Sequence, residues 1–274
     1  MSAYESGLKI LAIASGKGGV GKTNVSVNLA VSLARLGRRV MLFDADLGLA
    51  NADLLLGLRP ERTLHHLVSG EVEELKDVLI EGPEGILLIP SASGIASMAN
   101  LTPAEHAGLI RAFSSYRDPL DVLIVDTAAG LQESVTSFCK AVQEVLVVVC
   151  DEPASMTDAY ALMKVLHQDH GLRRFHLVCN MMANADAARR LAQKLSAVLT
   201  QYLPEVVVDV SATIPLDEHL RRAVQKRVPV VSLYPGSPAA RAFGELARRV
   251  DGWKTARGVS GGLGFFVERM LEQA

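Results

Sequence analysis

The feature that most constrains this chain is a glycine-rich loop at residues 16–23, with the sequence GKGGVGKT. It follows an apolar run at residues 8–14 and precedes a helix-like stretch at residues 24–36. The spacing fits G-x-x-x-x-G-K-[ST], in which the glycines let successive backbone N–H groups converge on one anion. The positive N-terminal end of the following helix acts on the same anion. The stretch therefore predicts a phosphate-binding loop between a strand and a helix.

Two lysines of this loop have different expected positions. Lys22 is expected to reach the β- and γ-phosphates, and the hydroxyl of Thr23 is expected to coordinate Mg²⁺. Lys17 directly follows the first glycine, where its side chain cannot easily fold back onto phosphates that its own loop encloses. We therefore expect Lys17 to point outward. The alternative is an ordinary solvated lysine.

Length, composition and charge limit the possible classes of protein. The chain has 274 residues, of which 49% are hydrophobic, enough for the core of one α/β domain. A formal net charge of −2 and a sequence pI near 6.4 argue against a protein that mainly binds nucleic acid electrostatically. No apolar stretch approaches the roughly 20 residues that cross a bilayer, and residues 1–7 lack a signal-peptide core. We expect a cytoplasmic protein with weak or peripheral membrane contact.

The cysteines and histidines do not suggest a metal centre. Cys139, Cys150 and Cys179 are odd in number and widely spaced, and no two of them form a C-x-x-C pair. The sequence therefore offers neither a zinc site nor a scaffold for an iron–sulfur cluster, and we expect buried thiols in a reducing compartment. Six histidines also lack ligand spacing and are interpreted as surface or packing residues: His65, His66, His167, His170, His176 and His219.

Carboxylates follow two of the apolar runs. Asp44 and Asp46 come at the end of the run that begins at residue 39, and Asp126 ends the run that begins at residue 120. Ligands of open α/β sheets bind beyond the carboxyl ends of strands, so these side chains are expected beside the phosphate loop. Asp126 is expected to hold Mg²⁺ through water, and residues 128–130 to sense the γ-phosphate. The alternatives are an ordinary strand cap and a closely packed strand-to-helix turn.

The alternation of apolar runs and helix-like stretches along the rest of the chain predicts an α/β fold, a mostly parallel doubly wound sheet with helices on both faces. Unbroken β-branched runs fit the strands of such a sheet, because these strands are covered on both sides. Further strands are predicted at residues 86–90, 144–150, 174–179 and 206–210, and helices at residues 54–58 and 63–68, from residue 103, at residues 155–166 and at residues 237–250. Residues 1–252 are predicted to form the domain, 253–262 a glycine-rich hinge and 263–274 a short amphipathic helix. That helix would insert into a membrane interface, dock on its own domain or bind a partner.

Two polar features are open to two interpretations each. Asn180 follows a strand-like run, where its amide offers a donor and an acceptor to an adenine edge, although a lone asparagine is more often a turn former. The helix after residue 217 carries four cations, which would meet an acidic partner or lipid headgroups or form a solvated face. These cations are Arg221, Arg222, Lys226 and Arg227.

Residues 17–23 resemble the deviant phosphate loop of the MinD/ParA class of ATPases. The resemblance extends to residues 44–48 (DADLG), to residues 126–130 (DTAAG) and to residues 214–217 (IPLD), so it covers most of the chain. Within the class, residues 23–30, 47–53 and 151–160 are most similar to the flagellar-number regulators of the FlhG and FleN type. The resemblance implies a P-loop NTPase with a MinD-like fold.

The resemblance also implies a slow ATPase that forms a homodimer with ATP and Mg²⁺. Lys17 would reach the nucleotide of the opposite subunit, Lys22 would hold the phosphates and Asp46 would polarise the attacking water. Thr23, Asp44 and Asp126 would support the metal, while Asn51 and Asp158 would face the dimer or a partner. The nucleotide-binding residues that it implies are Gly16, Lys17, Gly18, Gly19, Val20, Gly21, Lys22, Thr23, Asn24, Asn180, Pro215, Leu216 and Asp217.

The function implied by this resemblance is control of flagellar number or placement, by restraint of a flagellar transcriptional activator. A GTPase of the signal-recognition-particle type is a further partner in the class, but only a few residues precede the first strand, too few for a GTPase-activating helix. A MinD-type division-site regulator at the membrane and a ParA-type ATPase that positions DNA or cargo are alternatives. The acidic pI argues against direct DNA binding. An iron–sulfur carrier would need a cysteine pair, and a metabolic ligase would use ATP on a small substrate.

Overall fold

A single eight-stranded sheet organises the part of the chain that the computed structural model describes, namely residues 7–46, 51–91, 101–254 and 263–271. The strands are β1 (Lys9–Ser15), β2 (Val40–Ala45), β3 (Ile80–Glu81), β4 (Leu87–Ile89), β5 (Val122–Ala129), β6 (Glu144–Val149), β7 (Arg174–Met182) and β8 (Val207–Pro215). Their spatial order is β3-β4-β2-β5-β1-β6-β7-β8. Only β3 is antiparallel to its neighbour among these strands. The prediction of a mostly parallel sheet is confirmed.

Helices connect the strands and cover both faces of the sheet. They are α1 (Lys22–Arg35), α2 (Ala52–Leu56), α3 (Leu64–Val68), α4 (Pro103–Ser115), α5 (Glu133–Ala141), α6 (Pro153–His170), α7 (Ala185–Tyr202), α8 (Glu218–Gln225), α9 (Val230–Leu233), α10 (Pro238–Asp251) and α11 (Leu263–Leu271). The predicted start of α4 is confirmed in detail, since Thr102 and Glu105 form a reciprocal capping box around Pro103.

Two apolar cores lie on opposite faces of the sheet, and the strands contribute to them alternately. In β1, Ile10, Ala12 and Ala14 belong to one core, whereas Leu11 and Ile13 belong to the other. Successive side chains of a strand point to opposite faces, so a strand that is covered on both sides must be apolar throughout. This is why the central strands appear in the sequence as unbroken hydrophobic runs.

The last strand differs from its prediction. The expected strand at residues 206–210 is a longer one, β8, which ends at Pro215. The prediction stopped too early because β8 lies at the edge of the sheet and carries polar residues such as Asp209 and Ser211, which interrupt the apolar run. Pro215 therefore ends the strand instead of following it.

The C-terminal helix α11 packs on the domain. Its buried face, which includes Phe266, Val267 and Met270, joins the core that also contains α4 and α5. Phe266 stacks on Phe138 of α5 with ring centroids 6.5 Å apart. Of the three locations considered for this helix, the structure has the one on its own domain. The proposed hinge at residues 253–262 lies largely outside the described residues.

Candidate nucleotide-binding site

The glycine loop joins β1 to α1 and leaves the start of α1 open. Gly19 and Gly21 have φ angles of +79° and +86°, a conformation that glycine adopts without strain. Gly21 is the N-cap of α1, and no side chain caps the first N–H groups of this helix. An anion is the natural partner for such uncapped N–H groups, because they carry the positive end of the helix dipole.

Gly16 lies against the backbone of α6. A Cβ atom at Gly16 would be 2.1 Å from the carbonyl oxygen of Asp158 and 2.8 Å from the backbone nitrogen of Ala159. A Cβ atom at Gly18 would meet nothing closer than the Cβ of Ala129, at 4.0 Å. The first glycine of the loop is therefore required by the close approach of α6, whereas Gly18 faces open space.

A buried lysine–aspartate pair lies below the loop. Nζ of Lys22 is 3.7 Å from Oδ1 of Asp126, and both side chains are almost fully buried. The same Oδ1 accepts a hydrogen bond from the Ser26 hydroxyl at 2.8 Å. Burial raises the pKa of Asp126 above its usual value, although Lys22, Thr23 and Ser26 act in the opposite direction. Its second oxygen, Oδ2, has no hydrogen-bond partner in the described part of the chain.

Asp44 lies beside Asp126, since the two residues pair in register across β2 and β5. Its carboxylate accepts backbone N–H groups from Asp46, Asn51 and Ala52 at 3.1 to 3.2 Å. Burial, followed by the charge of Asp126, raises the pKa of Asp44 to about 7. Asp44 thus anchors the segment that carries Asp46. Its role in holding metal-bound water stays a prediction.

Asp46 lies at the end of β2, at the margin of the site. The Ser91 hydroxyl donates to its carbonyl oxygen at 2.8 Å, which fixes the backbone at this point. Its negative charge acts to raise the pKa of Asp126. Residues 47–50, which belong to the stretch at 47–53 that resembles the flagellar regulators, lie outside the described residues.

Asn180 holds the glycine loop directly. Its Nδ2 donates to the carbonyl oxygen of Val20 at 2.7 Å, and a Cβ atom at Gly21 would lie 2.4 Å from the same nitrogen. Its Oδ1 is buried and has no hydrogen-bond partner within the described residues. The loop thus takes one of the two N–H donors of Nδ2, and the expectation that this amide faces adenine with a donor and an acceptor stays a prediction. The acceptor that remains suits the exocyclic amine of adenine.

The segment at Pro215, Leu216 and Asp217 lies beside Met182, two residues after Asn180. The N–H of Leu216 donates to the carbonyl of Met182 at 2.9 Å, and the Leu216 side chain is 74% exposed. Asp217 caps α8 by accepting the His219 N–H at 2.8 Å and accepts the Ala239 N–H of α10 at 2.9 Å. The segment is thus firmly held and presents an exposed apolar side chain, consistent with a surface on which a base could rest.

The two lysines of the loop have different surroundings. Lys22 is buried against Asp126, whereas Lys17 lies at the surface and forms an ion pair with Glu152. The hydrogen bond with Glu152 raises the pKa of Lys17. The expectation that Lys17 points away from the interior of its own loop agrees with this arrangement.

Sequence comparison gives the family. A family model described as ParA, the NUBPL iron-transfer P-loop NTPase, matches residues 8–251. The chain belongs to the ParA/MinD family of P-loop NTPases. ATP and Mg²⁺ are the cofactors of this family site, and members of the family hydrolyse ATP.

Individual relatives within the ParA/MinD family align with this chain over most of their length. The antiactivator FleN of Pseudomonas aeruginosa is 54% identical over 97% of this chain and 94% of its own. The flagellum site-determining protein YlxH of Helicobacter pylori is 31% identical over 87% of this chain and 80% of its own. The structure of septum site-determining protein MinD of Pyrococcus horikoshii, complexed with Mg-ADP, has a TM-score of 0.72 and 28% identity, covering 93% of this chain and 99% of that one.

The residues of this ParA/MinD site fit Mg²⁺ and a nucleotide. The unpartnered Oδ2 of Asp126 is a hard oxygen ligand beside Thr23, and the unpartnered Oδ1 of Asn180 is an acceptor beside the loop. Within the described residues no group of three or more His, Cys, Asp and Glu side chains could hold a metal ion.

Several residues that shape the site were not predicted. Ser26 lies four residues after Lys22 on α1, so helical spacing could have placed both on one face. The contact between Lys17 and Glu152 spans 135 positions and has no local signal. The packing of Gly16 on Asp158 was missed for the same reason.

Other predictions about cysteines and membrane segments can be compared with the structure. All three cysteines are free and buried, as expected, and burial raises the pKa of Cys139 and of Cys179 to about 12. Helices of the described residues are all too short or too polar to span a bilayer.

Proposed function

We propose that this protein is an ATP-dependent dimerising switch that limits flagellar number by restraining a flagellar transcriptional activator. The observation that carries the proposal is the 54% identity to the antiactivator FleN, which extends over 97% of this chain and 94% of FleN. The relative YlxH is also named for a flagellar role. The division-site and DNA-positioning alternatives have only more distant relatives among these proteins, such as MinD at 29% identity.

The mechanism follows from the division of labour between the two lysines. Lys22, fixed by Asp126, is placed to hold the phosphates of its own subunit. The Lys17 side chain is partly exposed and pairs with Glu152 of α6 instead of Asp126, so the nucleotide of a second copy would be able to reach it once that pair opens. Both lysines would contact a bound triphosphate, whose negative charge would attract them, with Mg²⁺ held by Thr23 and Asp126. A second cation stabilises the charge of phosphoryl transfer only when two protomers meet, which couples hydrolysis to dimerisation.

The remaining site residues have supporting roles in this proposal. Asp46 orients the attacking water, and Asp44 fixes the backbone that carries Asp46. Asp126 and Thr23 hold the metal, while Asn180 and the segment at residues 215–217 position the base. Glycines of the loop, together with Val20 and Asn24, surround the phosphates.

In this proposal ATP is an assembly signal, since it contributes contacts to the dimer that ADP lacks. The dimer then binds the activator. The buried face of α11 is packed on its own domain, so we place any membrane contact second to this protein partner. A flagellar GTPase stays a possible further partner of the dimer.

The first test is nucleotide-dependent assembly. Wild-type protein and Lys17→Ala are compared by sizing with light scattering, in Mg-ADP and in Mg²⁺ with a slowly hydrolysed ATP analogue. We expect only the wild-type protein to dimerise, and only with the ATP analogue. The monomers of both proteins are expected to bind a fluorescent nucleotide with similar affinity. Equal dimerisation of the two proteins would refute the role of Lys17.

The second test is biological. The chain is expressed in a Pseudomonas aeruginosa strain that lacks FleN, and flagella are counted by electron microscopy together with transcription from flagellar promoters. We expect wild type to restore the parental count and promoter activity, and Lys17→Ala to fail at equal protein level. If expression of the chain changes division-site placement or DNA segregation and leaves the flagella unchanged, the result would instead favour the alternatives.

A further inference from the structure

Glu152 stands at the first turn of α6, where its carboxylate does not act as a cap. It is the N-cap residue of this helix, yet its side chain forms no capping hydrogen bond. A carboxylate at this position is favoured by the positive end of the helix dipole. It is therefore held near the helix but is free to pair with a cation from elsewhere, and that cation is Lys17.

Both ends of this ion pair are fixed to rigid backbone. The carbonyl of Lys17 accepts the Ser15 hydroxyl at 2.9 Å, and the preceding Gly16 is in direct contact with the backbone of α6 at Asp158. The loop and the helix cannot slide past each other without breaking this packing. Only the two side chains, at 36% and 56% exposure, are able to separate.

The partner of Lys17 in the free protomer thus competes with its proposed partner in the dimer. To extend to a nucleotide in a second copy, Lys17 would have to leave its own Glu152. We propose that Glu152 is a latch that holds Lys17 in its own subunit and so opposes ATP-dependent dimerisation until a triphosphate outcompetes it. This inference rests on the proposed function, since it assigns regulation to the same site.

The size of the effect follows from the exposure of the pair. An exposed ion pair is weak, and each protomer of a dimer must break one. Removing the latch is expected to release Lys17 about 1.4-fold to about 5-fold per protomer, and to tighten the dimer about 2-fold to about 30-fold because two latches open. A latch of this strength delays assembly at low ATP without preventing it at high ATP.

The test uses Glu152→Gln, which keeps the shape of the side chain and removes its charge. The matched control is Glu205→Gln, because Glu205 also forms an exposed ion pair, with Arg173 at 3.0 Å, but these residues lie just before β8 and β7, away from the loop. The first measurement is the rate at which an amine-reactive acetylating reagent labels Lys17 in the nucleotide-free monomer, followed by mass spectrometry. The second is the dimer dissociation constant in Mg²⁺ with a slowly hydrolysed ATP analogue, by analytical ultracentrifugation.

The latch predicts that Glu152→Gln labels faster at Lys17 and dimerises more tightly, and that Glu205→Gln matches wild type in both measurements. Unchanged labelling would overturn the pairing in solution. Faster labelling with an unchanged or weaker dimer would overturn the latch alone, while Lys17→Ala would still show whether Lys17 serves the dimer. If wild type stays monomeric with the analogue, the proposed function fails together with the latch, and the labelling then reports only the ion pair.

Discussion

The contact between Gly16 and helix α6 allows a substitution whose effect can be worked out from the structure. In Gly16→Ala the new Cβ would lie 2.1 Å from the carbonyl oxygen of Asp158, and the obstructing atoms belong to backbone. Ordinary van der Waals contact begins near 3.4 Å, so the loop or the helix must move by more than 1 Å. A flexible side chain could turn aside, but a helix backbone cannot.

The expected cost is that of overpacking, about 1–3 kcal/mol in the free energy of unfolding, with a larger value if α6 loses its first turns. Because Gly16 begins the phosphate loop, the same displacement is expected to weaken nucleotide binding by at least about tenfold, equivalent to about 1.4 kcal/mol. Urea unfolding followed by circular dichroism gives the first quantity, and titration with a fluorescent ATP analogue gives the second.

Gly18→Ala is the matched control, since it adds the same methyl group two positions later, where the nearest atom is 4.0 Å away. It is expected to change the free energy of unfolding by less than about 0.5 kcal/mol. If Gly16→Ala and Gly18→Ala have the same stability and the same nucleotide affinity, the contact between the loop and α6 does not constrain the site, and the reasoning fails.

Three further predictions concern other parts of the molecule. The pKa of Asp44 is raised to about 7 in the folded protein, whereas in the unfolded chain it has its ordinary value near 4. Between these two pH values the folded state keeps a proton that the unfolded state releases. The free energy of unfolding of the nucleotide-free protein should therefore fall as the pH rises from about 4 to about 7. Asp44→Asn should flatten that fall, by up to about 4 kcal/mol, and an unchanged slope in urea unfolding at pH 4.5 and 7.5 would contradict the assignment. Asp46→Ala should accumulate as the ATP-bound dimer on a sizing column. ATP hydrolysis by this variant at the wild-type rate would show that Asp46 does not orient the attacking water. Phe266→Ala should free α11, seen as lost hydrogen-exchange protection at residues 263–271, because a buried aromatic side chain contributes about 3–5 kcal/mol. Its neighbour Phe265 is 41% exposed, so Phe265→Ala should leave that protection intact.

Local patterns predicted the parts of this fold that are determined locally. The loop at residues 16–23 lies between β1 and α1 as its spacing requires, and the capping box at Thr102 begins α4 where expected. The carboxylates Asp44 and Asp126 are neighbours because both end buried parallel strands. In each case the residues that specify the structure are adjacent in sequence or follow a strict period.

Contacts between distant parts of the chain could not be predicted in this way. The length of β8 depends on its position at the edge of the sheet, where polar residues are tolerated. The alternating polar residues in its sequence do not indicate that position. The hydrogen bond from Asn180 to the carbonyl of Val20, 160 positions earlier, had no local signal in the sequence. Glu152 had no local feature to mark it as the partner of Lys17.

The bond from Asn180 to Val20 has a consequence for how such a site can change. The nitrogen of this amide holds the proposed phosphate loop, and its unpartnered oxygen is the acceptor that we propose contacts the base. A replacement of Asn180 that alters the choice between purines would therefore also weaken its hold on the phosphate loop. If Asn180 contacts the base as proposed, preference for adenine and tight binding of the triphosphate would be coupled, and a change to another nucleotide would need a second residue to hold the loop.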